Sequence, residues 1–153
     1  VSTSKGVARF LEATAGLDLR VTEMADSTHT AQEAADAVGA PVAAIVKSLV
    51  FLADGRPLLV LVSGPNRVDL DALGERLGVT LTKADADTVK AATGYSIGGV
   101  PPFGHPTPLR CVMDEDFMAV EELWAAAGSQ KAVFPIAPEK LRELSHASLV
   151  RVT

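Results

Sequence analysis

Cysteine is almost absent from this chain of 153 residues: Cys111 stands alone, so no internal disulfide can form. It lies in the short apolar run 108–113, where a free thiol behaves as a small hydrophobe. A nucleophilic thiol needs an activating base, and the sequence places none beside it. Positive charge is scarce as well. Lys and Arg number 14 against 19 Asp and Glu, for a net charge of −5. That excludes the broad basic face of a duplex-binding protein and leaves room only for local contact with nucleic acid. The histidines, His29, His105 and His146, are too scattered to give a metal-ligand spacing, and neither a metal nor another cofactor is expected. No apolar run approaches the ~20 residues of a membrane span. The opening Val1-Ser-Thr-Ser-Lys-Gly lacks the basic-then-apolar layout of a leader peptide. A soluble, cytoplasmic protein is therefore expected. Repeats, charge runs, GxGxxG and Walker patterns are missing too.

What is present is a core. Hydrophobic residues make up 48% of the chain, and mean hydropathy is +0.24. The length suits one domain, 1–153. Short elements alternate, which predicts an α+β fold. Helical stripes run over 4–15, 30–38, 69–77 and 85–92, and Pro138 opens a last helix. Thr30 and Glu33 have the spacing of a capping box. Strands are expected at 17–24, 43–53, 58–62, 79–82, 109–113, 122–127, 132–136 and 149–152, with Asp54-Gly55 turning a hairpin. Asp114, Glu115 and Asp116 read as a polar turn, in which the two aspartates act as caps. The long-range pairings predict a mixed, curled, barrel-like sheet with helices packed around it.

Two stretches depart from this regularity. The first is Ala44–Leu52, A-I-V-K-S-L-V-F-L. Side chains alternate along a strand, so Ile45, Lys47, Leu49 and Phe51 share one face and Val46, Ser48, Val50 and Leu52 the other. Both faces are apolar, the mark of a central strand. Lys47 lies inside it, and a buried, unpaired ammonium is costly. Either Lys47 sits near the strand end and snorkels to water, or its amine enters a cleft and awaits a phosphate or carboxylate. The second stretch is GYSIGGVPPFGH, residues 94–105, with four glycines and two prolines. The adjacent amides of Gly98 and Gly99 could converge on one oxygen, with Pro101-Pro102 stiffening the exit. A tight structural turn accounts for the same composition.

Together, in order, these stretches resemble the YbaK/prolyl-tRNA-synthetase-associated family of aminoacyl-tRNA editing domains. The resemblance runs through TAQEAADAVGAPVAAIVKSLVF (30–51), LLVLVSGPNRVDLDAL (58–73), ADADTVKAATGYSIGGVPPFGH (84–105), CVMDEDF (111–117) and AAAGSQKAVFPIAPEKL (125–141). Its most specific parts are I-V-K-S-L and G-x-x-x-G-G-x-P-P. The resemblance implies a curled mixed sheet and a trans-editing deacylase. Such an enzyme hydrolyses the ester of mischarged tRNA, in this family tRNA-Pro carrying Ala, Cys or another small residue. It implies that Lys47 holds the 3′-terminal region, that the Gly98 and Gly99 amides face the ester carbonyl, and that Gly128 and Ser129 form a small-residue turn beside the pocket. Ser48, Ser63, Tyr95, Pro101 and His105 are further candidate substrate contacts. Tyr95 could stack on the terminal adenine or pack over the glycine turn; His105 could orient water or brace the loop. Met24, Val46, Leu61 and Ser129 are expected to set the pocket's volume. Residues 130–134, Q-K-A-V-F, lack the aspartate that certain members carry there, which weakens a cysteine-type specificity. The expected partners are the acceptor end of aminoacyl-tRNA and a prolyl-tRNA synthetase, met by a monomer. The alternative is a non-catalytic module binding a CCA end or nucleotide on the same fold.

Overall fold

The computed structural model describes residues 4–25 and 29–153. Residues 1–3, where the leader reading begins, lie outside the described residues.

Five helices form where polar caps precede apolar stripes: α1 Lys5–Ala13, α2 Ala31–Val38, α3 Leu70–Leu77, α4 Ala86–Thr93 and α5 Pro138–Ser145. The first four start on side chains that accept a backbone N–H: Ser4, Thr30, Asp69 and Asp85. Each such cap replaces one of the amide partners a helix start lacks. Thr30 accepts from the Glu33 amide at 3.0 Å, as the box spacing predicts.

The strands are β1 Thr22–Glu23, β2 Val46–Ala53, β3 Arg56–Ser63, β4 Leu81–Lys83, β5 Arg110–Asp114, β6 Leu123–Ala126, β7 Ala132–Ile136 and β8 Ser148–Val150. One sheet has the order β4-β2-β3-β5-β8, the other β1-β7-β6. The β2–β3 hairpin turns on Asp54 and Gly55, both with positive φ (50° and 82°), as a type I′ turn requires. Its register sets Lys47 opposite Val62 and Ser48 opposite Leu61. The parallel pairs β3–β5 and β5–β8 make the sheet mixed.

Alternation along β3 divides the interior. Leu59 and Leu61 join Phe10, Met113 and Phe134 on one side; Leu58, Val60 and Val62 join Leu73 and Val112 on the other. Phe10, Phe103 and Phe134 meet with centroids 5.2–5.9 Å apart, tying α1, the glycine loop and β7 together.

The expected α+β fold with a mixed sheet and packed helices is the one observed, and it differs from the expectation in detail. The barrel-like curl does not close: the two sheets stay separate, joined among the described residues by the isolated bridge Ile45–Trp124. The strand predicted over 17–24 is reduced to Thr22–Glu23. Gly16 and Asp18 both take positive φ (89° and 57°), so the alternating apolar residues that follow pack against the core without pairing. Both faces of β2 were expected to be buried, yet Leu49 is 36% exposed. The cause is local. β4 pairs only with Phe51, Leu52 and Ala53, so the Val46–Val50 half of β2 has no named strand along its outer edge. The polar turn read at Asp114–Asp116 extends into a 3-10 turn, Glu115–Ala119, that buries Phe117.

Candidate active site

The open edge of β2 is where a cleft of about 540 Å³ forms. Its walls are β2, α2, β6 and the loop after α4. Because the cleft meets β2 edge-on, both faces of that strand contribute: Val46, Ser48 and Val50 from one, Lys47, Leu49 and Phe51 from the other. The lining is mostly apolar, with Thr30, Ser48, Ser129 and Gln130 as neutral polar groups and His29, Lys47 and Lys83 as basic ones. Among the described residues no acid lines it. Size and make-up fall in the range of small-ligand sites, about 300–1,000 Å³ and chiefly apolar with a few polar groups.

The glycine loop is a β-turn over Ser96–Gly99. Gly99 N–H donates to the Ser96 carbonyl at 3.0 Å, and Gly98 at φ 87° occupies the position where a type II turn needs positive φ. The expectation that both amides are free to converge on one oxygen is therefore corrected for Gly99. Gly99 spends its amide inside the turn, while the Gly98 amide has no partner among the described residues. The two glycines also look in different directions. Gly98 lines the cleft, beneath the Gln130 side chain; Gly99 lines a second, broader hollow of about 1140 Å³ on the far side of the turn. A Cβ on Gly99 would stand 2.7 Å from the Ser129 Cα and 2.9 Å from the Gly128 carbonyl oxygen. Gly128 in turn lies against the backbone of Gly6 in α1. Three glycines thus let three backbones touch.

Lys47 resolves its burial by a contact the sequence did not reveal. Its Nζ donates to the Asn66 carbonyl at 2.6 Å. Burial lowers the amine's pKa below its usual value, Arg67 lowers it further, and the Asp114 carboxylate opposes both. Asn66 is itself held: its Nδ2 donates to Asp114 and to Asp116, each at 2.8 Å. Asp114, 1% exposed, also accepts from the Ser63 amide at 3.0 Å and the Asp116 amide at 3.0 Å. Asp114 does cap the turn that follows, as expected, but it also joins β3, β5 and the segment after β3.

The other candidates separate. Ser48 lines the cleft, and its hydroxyl is the one buried side-chain polar atom among the described residues with no hydrogen-bond partner. Ser129 lines both hollows, and its Oγ accepts from the Lys131 amide at 3.1 Å. Gly128 lines only the second hollow. Ser63 is a structural residue: buried, it donates to the Ala43 carbonyl at 2.8 Å and lines neither hollow. Tyr95 is 1% exposed, with its hydroxyl on the Gly104 carbonyl and Arg9 over its ring, so no ring face is open to a base. Pro101 and His105 brace the loop: His105 Nε2–H donates to the Pro101 carbonyl at 2.8 Å, and neither residue lines a hollow. Burial holds the imidazole's pKa below its ordinary value. Of the residues expected to set pocket volume, Val46 and Ser129 line the cleft, Met24 lines the second hollow and Leu61 lies in the core. The Cys111 thiol is buried and its pKa is pushed up to about 12, so it is no nucleophile. Asn66, Lys83 and Gln130 were not anticipated. Of these only Asn66 had a signal, the Pro65-Asn66 break after a buried strand.

Comparison with known proteins places this geometry. The aminoacyl-tRNA editing domain model matches residues 25–144. A crystal structure described as "a putative trans-editing enzyme for prolyl tRNA synthetase" superposes with a TM-score of 0.93, at 42% identity and with 99% of each chain covered. The uncharacterized protein YwhH of Bacillus subtilis is 28% identical over 130 residues, 84% of this chain and 83% of its own length. The proline--tRNA ligase of Nitratidesulfovibrio vulgaris is 36% identical over 77 residues, 50% of this chain and 13% of the ligase.

Proposed function

The chain belongs to the aminoacyl-tRNA editing domain family, and we propose that it is a trans-acting deacylase. Its substrate on this reading is mischarged tRNA, with tRNA-Pro bearing alanine or another small residue as first choice. The observation that carries the proposal is a cleft lined by no acid among the described residues, in which a Ser48 hydroxyl and a Gly98 amide without partners among those residues lie along an apolar wall. The 42% identity to the structure described as "a putative trans-editing enzyme for prolyl tRNA synthetase" supports the same reading.

The chemistry asks little of side chains. Water adds to the ester carbonyl carbon and the carbonyl oxygen takes up negative charge. Collapse of that adduct breaks the bond to the ribose oxygen, which receives the proton the water gave up. The neighbouring ribose hydroxyl can relay that proton, so no protein base is required. The enzyme's share is orientation and a fixed donor at the developing oxyanion. Gly98 N–H is that donor. Lys47 spends one of its three ammonium N–H groups on Asn66 and offers the rest to phosphate or ribose at the 3′ end. Ser48 and Ser129 contact the small aminoacyl group or the sugar, and Gly99 and Gly128 act by letting the turn close. Localisation and the partnership with a synthetase follow from this reading; among the described residues no helix is long and apolar enough to cross a membrane.

The test is a deacylation panel over tRNA-Pro charged with Ala, Cys, Ser and Pro. Release from at least one mischarged tRNA, with cognate prolyl-tRNA spared, is expected. Lys47→Ala removes a charge-assisted contact and should lower kcat/KM by about 10- to 100-fold. Intact esters across the whole panel would refute the proposal.

A further inference from the structure

The second hollow adjoins the cleft across a ridge of Ile97, Ser129 and Gln130, which line both. Its charge is unlike that of the chain. Lys5, Lys90 and Lys131 line it, against Glu23 alone among the described acids. With Lys47 and Lys83 in the cleft, five of the chain's six lysines border the two hollows, while no arginine borders either. A protein of net charge −5 has thus gathered its lysines on one side.

The three lysines come from separate elements: the first residue of α1, the last turn of α4 and the turn before β7. All three are exposed, and none is in a salt bridge among the described residues. Lys5 sits where a helix disfavours it: the positive end of α1, whose first turn holds no acid. Helix stability does not account for that placement, but a ligand of repeated negative charge would. Exposed ammonium groups set around a broad hollow suit phosphates as point charges.

We propose that this hollow docks the phosphate backbone of an RNA stem, so that the duplex next to the 3′ end rests on Lys5, Lys90 and Lys131 while the terminal ester enters the cleft. The inference rests on the deacylase reading for what occupies the cleft. It adds a binding surface to that reading, one that distinguishes a structured acceptor stem from a bare CCA end.

The experiment compares the full chain with the triple variant Lys5→Ala/Lys90→Ala/Lys131→Ala, using Lys140→Ala, the lysine outside both hollows, as control. Two RNA probes are used: a hairpin with an acceptor-like stem and CCA overhang, and the CCA trinucleotide. Binding is followed by fluorescence anisotropy over a salt series, and hydrolysis on the alanyl esters of both. Losing three phosphate contacts should lower the slope of log K against log salt by about 2 to 3 for the hairpin. That corresponds to binding weaker by about 100- to 1,000-fold at 0.1 M salt, converging with the parent near 1 M. Trinucleotide binding, trinucleotide hydrolysis and the Lys140→Ala control should not change. An unaltered hairpin slope in the triple variant overturns the inference, as does an equal loss on the trinucleotide. Lysine-dependent hairpin binding with no hydrolysis of either ester would uphold the dock and sink the deacylase reading; hydrolysis of both esters without the slope change would do the reverse.

Discussion

Replacing Asp114 with alanine should be among the most damaging single changes outside the apolar core. Its carboxylate accepts from the Ser63 amide, the Asn66 side chain and the Asp116 amide at 2.8–3.0 Å, and it is 1% exposed. The three losses are unequal. The Ser63 amide is buried and would have no other acceptor, a penalty of about 1–3 kcal/mol. The Asp116 amide loses a cap, worth about 1 kcal/mol, and can turn to water. Asn66 keeps Asp116 as an acceptor, so its loss is small. The sum is about 2–4 kcal/mol, which for a domain of this size lowers Tm by roughly 4–16 °C. Urea unfolding should show a lower midpoint at unchanged slope. Asp114→Asn retains one acceptor oxygen and should fall between the two. Lys47 supplies an independent readout, because the carbonyl that receives its ammonium belongs to Asn66. A change below about 1 kcal/mol in Asp114→Ala would refute this assignment of the network, since the buried Ser63 amide alone should cost that much.

Other perturbations test the loop and the site. Gly99→Ala should destabilise by about 1–3 kcal/mol through overpacking, because backbone atoms that cannot step aside surround the added methyl. Gly98→Ala should cost at least about 1–2 kcal/mol from its left-handed φ, and the added methyl would also stand 2.3 Å from the Gln130 side chain. Equal Tm values for both variants and the parent would contradict both. Ser48→Ala removes an unsatisfied buried hydroxyl, so stability should hold or rise by about 1 kcal/mol while kcat/KM falls; a clear drop in Tm would show that the hydroxyl has a partner. For His105 the folded pKa is held below the ordinary 6.5 by burial. The folded state then binds fewer protons, so its contribution to stability is complete above pH 6.5 and declines as pH falls toward the folded value. His105→Gln should flatten that part of the stability–pH curve, and an unchanged curve would refute the assignment. With its pKa near 12, Cys111 should resist alkylation at pH 8 until the chain is unfolded.

Local chemistry was legible in the sequence wherever it is self-contained. Thr30 with Glu33, Asp69 before Leu70 and Asp54-Gly55 each determine a cap or turn from a few neighbouring residues, and the observed elements begin and turn there. The Leu17–Met24 alternation misled because pairing is a tertiary event: two positive-φ residues bend the chain before a ladder can form. Lys47 shows the same limit at the site. Alternation placed it in a core strand, but its partner lies 19 residues on, in a carbonyl that no residue-type pattern marks. The divided roles of Gly98 and Gly99 were likewise hidden. Composition permits two free amides, and only the turn's own hydrogen bond shows that one is spent.

The packing around that turn bears on how a glycine-rich loop could serve as a fixed donor at all. Glycine gives a chain freedom, and a mobile amide stabilises a transition state poorly. Here the freedom is removed from outside. Gly99 is pressed on the Gly128–Ser129 turn, and Gly128 on Gly6 at the start of α1. Past the prolines, Phe103 packs against Phe10 of α1 and Phe134 of β7, and the His105 imidazole ties back to Pro101. Helix α1 therefore touches the loop at both ends, through Gly6 by way of Gly128 and through Phe10. On the proposed reading, α1 is what turns a permissive sequence into a rigid donor. It is also the helix that carries Lys5 to the rim of the second hollow. Grip on the RNA stem and placement of the Gly98 amide then depend on one element, so a change that shifts α1 should lower binding and turnover together, whereas loss of the Lys5 charge alone should lower binding and spare turnover of the short ester.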